Sequence, residues 1–232
     1  MPHLTQSPNV ACKLRQTMKL TNFKIDADQI ALTYNGQYLD VHNNYEFRGF
    51  NFDILSKQLH LTWTRSHEKW ANEKLCGFIL VFKNVSFLKV RERDVELSFN
   101  EDTCMSFIGF LPQDMREHFD SYTEPKNVTN DYDINVNFQS DQAFKINCEL
   151  VDFIEINEEI IYVALTNEGT KVWRPMWADN LEGNVYRIKS YPTFDPLDEE
   201  LQFTTGDIVI CERQELDNGQ CLVATSIKKT SV

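Results

Sequence analysis

Glycine and proline are both scarce in this chain of 232 residues, with eight and seven copies respectively. Their scarcity excludes a collagen-like or low-complexity chain, because those classes need glycine or proline in bulk. Long apolar runs are also missing. The longest, residues 77–82, covers about a third of the roughly 20 residues that a membrane-spanning helix needs. The sequence therefore predicts no membrane span and no membrane partner.

Positive charge is also in short supply, with 23 Lys and Arg against 35 Asp and Glu, for a net charge of −12. Such a chain repels phosphate backbones, so nucleic acid is not the expected partner. The same charge attracts basic proteins. Aromatic residues are plentiful, which distinguishes the chain from disordered acidic sequences. We therefore expect a folded acidic protein with a basic protein as its partner.

Signals for secretion and for metal binding are missing as well. Residues 1–17 lack a continuous apolar run, so we expect a disordered leader there, or a true start at Met18, rather than a signal peptide. The six cysteines are dispersed without a C-x-x-C pair, which argues against a structural zinc site. These features favour reduced thiols and a cytoplasmic location.

Common catalytic motifs are absent: the sequence contains no G-x-S-x-G, Walker A or G-x-G-x-x-G pattern. Cys104 and His118 would suit a thiol nucleophile and its base. The apolar surroundings of Cys104 instead favour a packed side chain. His60 and His67 lack the further ligands that a metal needs. We expect no catalytic residue, no metal and no cofactor.

Apolar and polar residues alternate with a period of two along most of the chain, which predicts a mostly β protein. The two stretches 133–139 and 142–150 alternate in this way and flank the polar turn Ser140–Asp141, which predicts a hairpin with one face exposed to water. The same reading predicts further strands at 29–34, 37–42, 47–54, 59–64, 77–83, 86–91 and 94–99.

Three segments depart from this alternation. A short helix is predicted over residues 111–119, where a proline and an early acid precede Arg and His. Residues 66–74 suit either a second short helix or a loop, and residues 120–132 suit a polar loop.

The composition changes near residue 153, which predicts two domains: an antiparallel sheet domain at 18–153 and a small SH3-like barrel at 154–232. The fold class is therefore all-β with minor α. The strands predicted for the barrel are 160–166, 171–178, 184–190, 201–203, 207–213 and 220–226.

The last hairpin decides whether two cysteines can pair. A two-residue turn at Asn218–Gly219 would place Cys221 opposite Leu216 and Cys211 opposite Ser226. That register argues against a disulfide between the two cysteines.

Acidic residues concentrate in the segment 195–200. With nearby aromatic residues they predict a surface for a basic partner. A hydrolytic carboxylate pair and a solvated loop without a ligand remain open as alternatives. The alternation over 172–177 leaves one tryptophan for the core and one for an edge. The predicted partner-binding residues are Asp195, Asp198, Glu199, Glu200, Trp173, Trp177 and Tyr191.

Two groups of segments resemble known bacterial families. Residues 164–175, 185–188, 198–203 and 206–212 look like a small bacterial β-barrel domain of unknown function. Residues 79–85, 88–90 and 97–110 resemble sheet-rich immunity-type proteins of bacterial toxin systems. The resemblance implies a cytoplasmic, non-enzymatic protein that neutralises a cognate toxin by binding and occluding it. A two-domain protein-binding adaptor and a hydrolase using the acidic loop or Cys104 are the alternatives.

Overall fold

A computed structural model describes most of the chain, namely residues 18–66, 68, 70–71, 75–118, 129, 131–190, 200–217 and 219–228. Strands dominate these residues, so the predicted all-β class is confirmed. No described helix is long and apolar enough to cross a bilayer.

The first part of the chain is built from twelve strands, a short helix and two 3-10 turns. The strands are β1 (Lys19–Thr21), β2 (Phe23–Ile25), β3 (Ala31–Tyr34), β4 (Gln37–Asp40), β5 (Tyr45–Asp53), β6 (Gln58–Arg65), β7 (Gly77–Lys83), β8 (Phe87–Arg91), β9 (Met105–Pro112), β10 (Tyr132–Phe138), β11 (Ala143–Asn147) and β12 (Leu150–Ile156). The helix α1 covers Val41–Asn44, and the 3-10 turns cover Phe99–Asp102 and Gln113–Met115.

These strands form three sheets, in the orders β1-β12-β7-β6-β5, β8-β11-β10-β9 and β2-β3-β4. The first two sheets face each other across an aromatic core. The Phe47 ring of the five-stranded sheet lies 4.5 Å from the Phe138 ring of the four-stranded sheet. Trp63, Phe78 and Phe153 continue this core within the five-stranded sheet. Face-to-face packing of two sheets buries the apolar side of each.

The outer face of the β10–β11 hairpin is buried, so the prediction of a water-exposed face was wrong here. Asp133, Asn135 and Lys145 are each 0% exposed. Residues 113–118 pack over this face: Lys145 Nζ donates to the carbonyls of Met115 and Arg116 at 3.2 and 2.7 Å. Arg116 binds both carboxylate oxygens of Asp133 at 2.6 and 2.8 Å. Asp133 and Lys145 are thus covered and paired rather than hydrated.

Two local predictions in the first part are corrected. The helix expected at 111–119 is absent from its described residues, because strand β9 continues to Pro112 and pairs with β10, and only a 3-10 turn follows. The strand expected at 94–99 is a loop that ends in the 3-10 turn Phe99–Asp102. Much of the segments 66–74 and 120–132 lies outside the described residues.

The second part of the chain is a closed barrel of five strands, which confirms the predicted small barrel. Neighbouring strands along the chain are antiparallel, and the barrel closes where the first and last strands run parallel, at Tyr162 and Val223. Five alternating strands necessarily close with a parallel pair. The strands are β13 (Glu158–Ala164), β14 (Trp173–Glu182), β15 (Val185–Ser190), β16 (Ile208–Leu216) and β17 (Gly219–Ile227).

The predicted register of the last hairpin was wrong. Leu216 pairs with Gly219, whereas the expected register pairs Leu216 with Cys221. Cys211 therefore faces Ala224, and Cys221 faces Gln214. Both cysteines are free thiols. Of the predicted strand 201–203, only Leu201 forms a bridge, to Leu165.

A buried ionic cluster joins the two parts of the chain. Arg65, at the end of β6, donates through Nη2 to Glu159 Oε2 at 2.7 Å and to the Tyr186 hydroxyl at 3.2 Å. The Tyr186 hydroxyl donates to the same carboxylate oxygen at 2.8 Å. Burial by itself would lower the pKa of Arg65. The charges and hydrogen bonds of Glu159 and Tyr186 have the larger effect, and the pKa of Arg65 is raised overall. Arg213 of the barrel also donates to the Glu68 carbonyl at 2.9 Å.

The predicted domain boundary at residues 153 and 154 stays a prediction. Strand β12 runs to Ile156 and pairs with β7 of the first part over its whole length. The barrel begins at Glu158, and Asn157 is the single residue between the two strands.

Candidate functional site

The predicted partner-binding residues divide into two groups. Tyr191, Asp195, Asp198 and Glu199 lie outside the described residues. Trp173, Trp177 and Glu200 are described, and the structure places all three on the barrel or against its edge.

Trp173 and Trp177 both lie on the outer face of β14, so the division into one core and one edge tryptophan was wrong. Met176 and Ala178 are fully buried in the barrel core, and successive side chains on a strand point to opposite faces. Two residues four positions apart share a face and are about 13 Å apart along the strand. Trp177 is 37% exposed. The barrel therefore presents two tryptophans outward.

Trp173 lines a cavity of about 300 Å³ together with Lys171, Glu215, Leu216 and Asp217. We call these five residues the Trp173 pocket. Its volume is at the lower end of the range for ligand sites, which suits a single side chain better than a large cofactor. An indole face beside carboxylates attracts a cation through both its quadrupole and direct charge. Lys171 adds one positive charge to the two carboxylates, so the lining keeps a net negative charge and fits a Lys or Arg side chain of another protein.

The carboxylates of the Trp173 pocket were not among the residues predicted from the sequence. Glu215 and Asp217 come from the end of β16 and the following turn, 42 and 44 positions beyond Trp173. Gln220, across the hairpin, donates to Glu215. The D-N-G turn at 217–219 was a signal that these acids sit at an exposed hairpin tip, but only the closed barrel brings that tip to Trp173.

Glu200 lies near Trp173 but does not line the pocket. Its backbone carbonyl accepts from the Thr166 amide at 2.8 Å, and its carboxylate accepts from Asn167. Thr166 follows the end of β13 closely, and the last residue of β13, Ala164, pairs with Trp173. The structure therefore brings one residue of the predicted acidic segment to the edge of the barrel where Trp173 begins its strand.

Cys104 contacts His42, whereas the thiol–imidazole pair that was considered from the sequence, and set aside in favour of a packed thiol, was Cys104 with His118. The Cys104 sulfur lies 3.7 Å from His42 Nδ1. That nitrogen also lies 2.7 Å from the Met105 carbonyl, which can only accept, so Nδ1 carries the proton and is no base for the thiol. Burial and the nearby Glu101 raise the pKa of Cys104. A protonated thiol donating to the His42 carbonyl at 3.6 Å fits this geometry.

The histidine metal site considered from the sequence is not assembled by the described residues. His60 lies 3.5 Å from Gln58, and His67 lies outside the described part. Among the described residues, no three His, Cys, Asp or Glu side chains converge in an arrangement that could hold a metal ion.

Comparison with protein-family models, with curated proteins and with solved structures found no match to this chain. The resemblance to immunity-type proteins therefore stays a prediction.

Proposed function

We propose that this chain is a non-catalytic binding protein that occludes a basic protein, as an immunity protein occludes its toxin in the cytoplasm. The observation that carries the proposal is the Trp173 pocket, where an outward tryptophan adjoins two carboxylates. Tryptophan is among the residues that most often dominate the binding energy of protein interfaces.

The charge of the chain supports the same partner. A net charge of −12 attracts a basic protein from beyond contact distance and raises the rate of encounter more than the final affinity. Glu215 and Asp217 would then orient a Lys or Arg side chain toward the Trp173 indole. Occlusion follows when the bound chain covers the basic residues that the partner needs for its own substrate.

The test begins with capture of the partner by the tagged full-length chain from its native host, followed by purification of that partner. We expect a basic protein whose association at low salt slows several-fold with the double variant Glu215→Gln/Asp217→Asn. Salt should shrink this difference, because the screening length is about 8 Å near physiological ionic strength. The amide variants at positions 195, 198, 199 and 200 test the predicted acidic segment in the same assay.

A charge-matched control separates a local contact from the total charge. Glu182→Gln/Asp114→Asn removes two other exposed carboxylates and changes the net charge by the same amount. An acidic partner, or a rate that is independent of salt, would contradict the proposal. If both double variants slow association equally, the Trp173 pocket is not the contact site for the basic partner.

A further inference from the structure

Residues 92–102, between β8 and β9, form a loop that is held in place by one arginine; we call it the Arg93 loop. Arg93 Nε donates to both carboxylate oxygens of Asp102 at 3.0 Å, and Nη2 donates to the Leu97 carbonyl at 2.5 Å. Its guanidinium also lies 4.3 Å from the centre of the Phe99 ring. One side chain thus fixes the middle and the end of the loop.

The base of the Arg93 loop is tied to the β10–β11 turn. The Asp94 amide donates to the Ser140 carbonyl at 2.7 Å, and the Ser140 amide donates to the Glu101 carbonyl at 3.3 Å. A loop fixed at both ends and in its middle loses little conformational freedom when a partner binds, which favours affinity.

This fixed loop exposes large apolar side chains. Val95 is 79% exposed, Phe99 76% and Leu97 39%. Single exposed apolar residues are common, but three within five positions form a patch of the kind that marks interaction sites. Because the exposed surface of these side chains stays in water, it adds no hydrophobic stabilisation to the fold. A partner that buries them would gain the free energy of removing this surface from water.

Carboxylates surround the apolar residues of the Arg93 loop. Glu92, Asp94 and Glu96 are exposed, and none forms an ion pair with another described residue. The surroundings therefore favour a partner with Lys or Arg at its rim. A second copy of this chain would bring its own net charge of −12 to the contact, and charge repulsion excludes it as the favoured occupant.

We propose that the Arg93 loop anchors the basic partner: Phe99 and Val95 enter an apolar pocket of that protein, and Glu92, Asp94 and Glu96 face basic residues around it. The inference rests on the proposed function for the charge of the partner. Buried aromatic anchors mainly slow dissociation, whereas surrounding charges mainly speed association. Arg93 acts as a positioning residue, because it holds Phe99 without needing to touch the partner.

The test places a photo-reactive phenylalanine, p-benzoylphenylalanine, at position 99 of the full-length chain in its native host. The matched control carries the same residue at position 55, because Leu55 is 95% exposed on the unrelated β5–β6 hairpin. We expect light to link one basic protein to position 99 and not to position 55. Absence of a crosslink at 99, or a crosslinked protein that is acidic, would overturn the inference.

Binding kinetics with the partner that the crosslink identifies, purified in its free form, then separates anchoring from electrostatic steering. Phe99→Ser should speed dissociation about 30-fold, the effect of losing an interface hot spot, and leave association within about two-fold. Leu55→Ser should change neither rate. Glu92→Gln/Asp94→Asn/Glu96→Gln should slow association at low salt. Both apolar positions are exposed, so an unchanged thermal midpoint verifies that the variants fold.

The two proposals fail in different ways. One outcome is a basic partner that associates in a salt-dependent manner and dissociates from the Phe99→Ser variant at the same rate as from the parent chain. In that case the Arg93 loop is not the anchor and the proposed function stands. If the parent chain binds no basic protein, both proposals are wrong.

Discussion

Replacing Glu159 by Gln should reveal how strongly the barrel is fixed to the sheets. Glu159 and Arg65 are only 7% and 8% exposed, and they face each other across the junction at 2.7 Å. Without the carboxylate, the Arg65 guanidinium remains buried without its countercharge. Removing one partner of a buried pair costs about 3–5 kcal/mol of unfolding free energy. With a urea dependence of about 2–3 kcal/mol per molar, the midpoint should fall by about 1.5 M.

The neighbouring residue is the natural control. Glu158 points to the other side of β13 and pairs with Lys189 at 2.6 Å, where both side chains are more than 40% exposed. Exposed ion pairs contribute about 0–1 kcal/mol, so Glu158→Gln should move the urea midpoint by less than about 0.4 M. Two adjacent glutamates thus receive the same chemical change with opposite burial.

A double variant tests the cause of the loss. Arg65→Met/Glu159→Leu removes both charges and should regain most of the stability lost in Glu159→Gln, because a buried ion pair is often replaced by apolar residues without penalty. Urea unfolding followed by circular dichroism and by tryptophan fluorescence measures all four proteins, and Trp63 reports the sheet core because it is fully buried. Equal midpoints for Glu159→Gln and Glu158→Gln would refute the reasoning.

Three further predictions concern single sites. Alkylation of Cys104, measured by mass spectrometry of its peptide, should keep accelerating as the pH rises above 9, because its pKa is raised and only the thiolate reacts; a plateau below pH 7 would instead reveal a thiolate–imidazolium pair. Gly77→Ala should destabilise the protein by about 1–3 kcal/mol in urea, since a Cβ there meets the Trp63 carbonyl, whereas Gly169→Ala, with open space around it, should be neutral. Lys145→Met should lower the unfolding free energy by about 2–4 kcal/mol through the loss of two charge-assisted hydrogen bonds, and Lys89→Met, whose partner Glu117 is largely exposed, should lower it by less than about 1 kcal/mol; equal losses would contradict the burial argument.

Strands with strong apolar patterns could be predicted from the sequence. The predicted strand 77–83 matches β7 at both ends, because its apolar run lies in the centre of the sheet with neighbours on both sides. The hairpin around Ser140–Asp141 was also found, since Asp141 adopts a positive φ of 66° that suits a tight turn. Local periodicity and turn chemistry were sufficient in both places.

The failures come from partners that are distant along the chain. Periodicity alone does not distinguish a hydrated polar face from one that is covered, so Lys145 and Asp133 were expected in water. Strand β9 was missed because Pro112 was taken as a helix start, although it is the last residue of a strand paired with β10. The Trp173 pocket combines residues more than 40 positions apart, and no local pattern contains that information.

The parallel pair β1–β12 has a consequence for the order in which the chain can fold during synthesis. Within the part of the chain that the structure describes, residues 19–21 pair with residues 150–152 alone. The Asn22 side chain bonds the Phe153 backbone through both its amide nitrogen and its oxygen. β12 also inserts between β1 and β7. The ribosome therefore releases β1 long before β12 exists, and this sheet stays incomplete until more than half of the chain has emerged. Such long-range pairing makes the closure of this sheet slow. Until β12 is in place, the open edge of the sheet needs protection from aggregation.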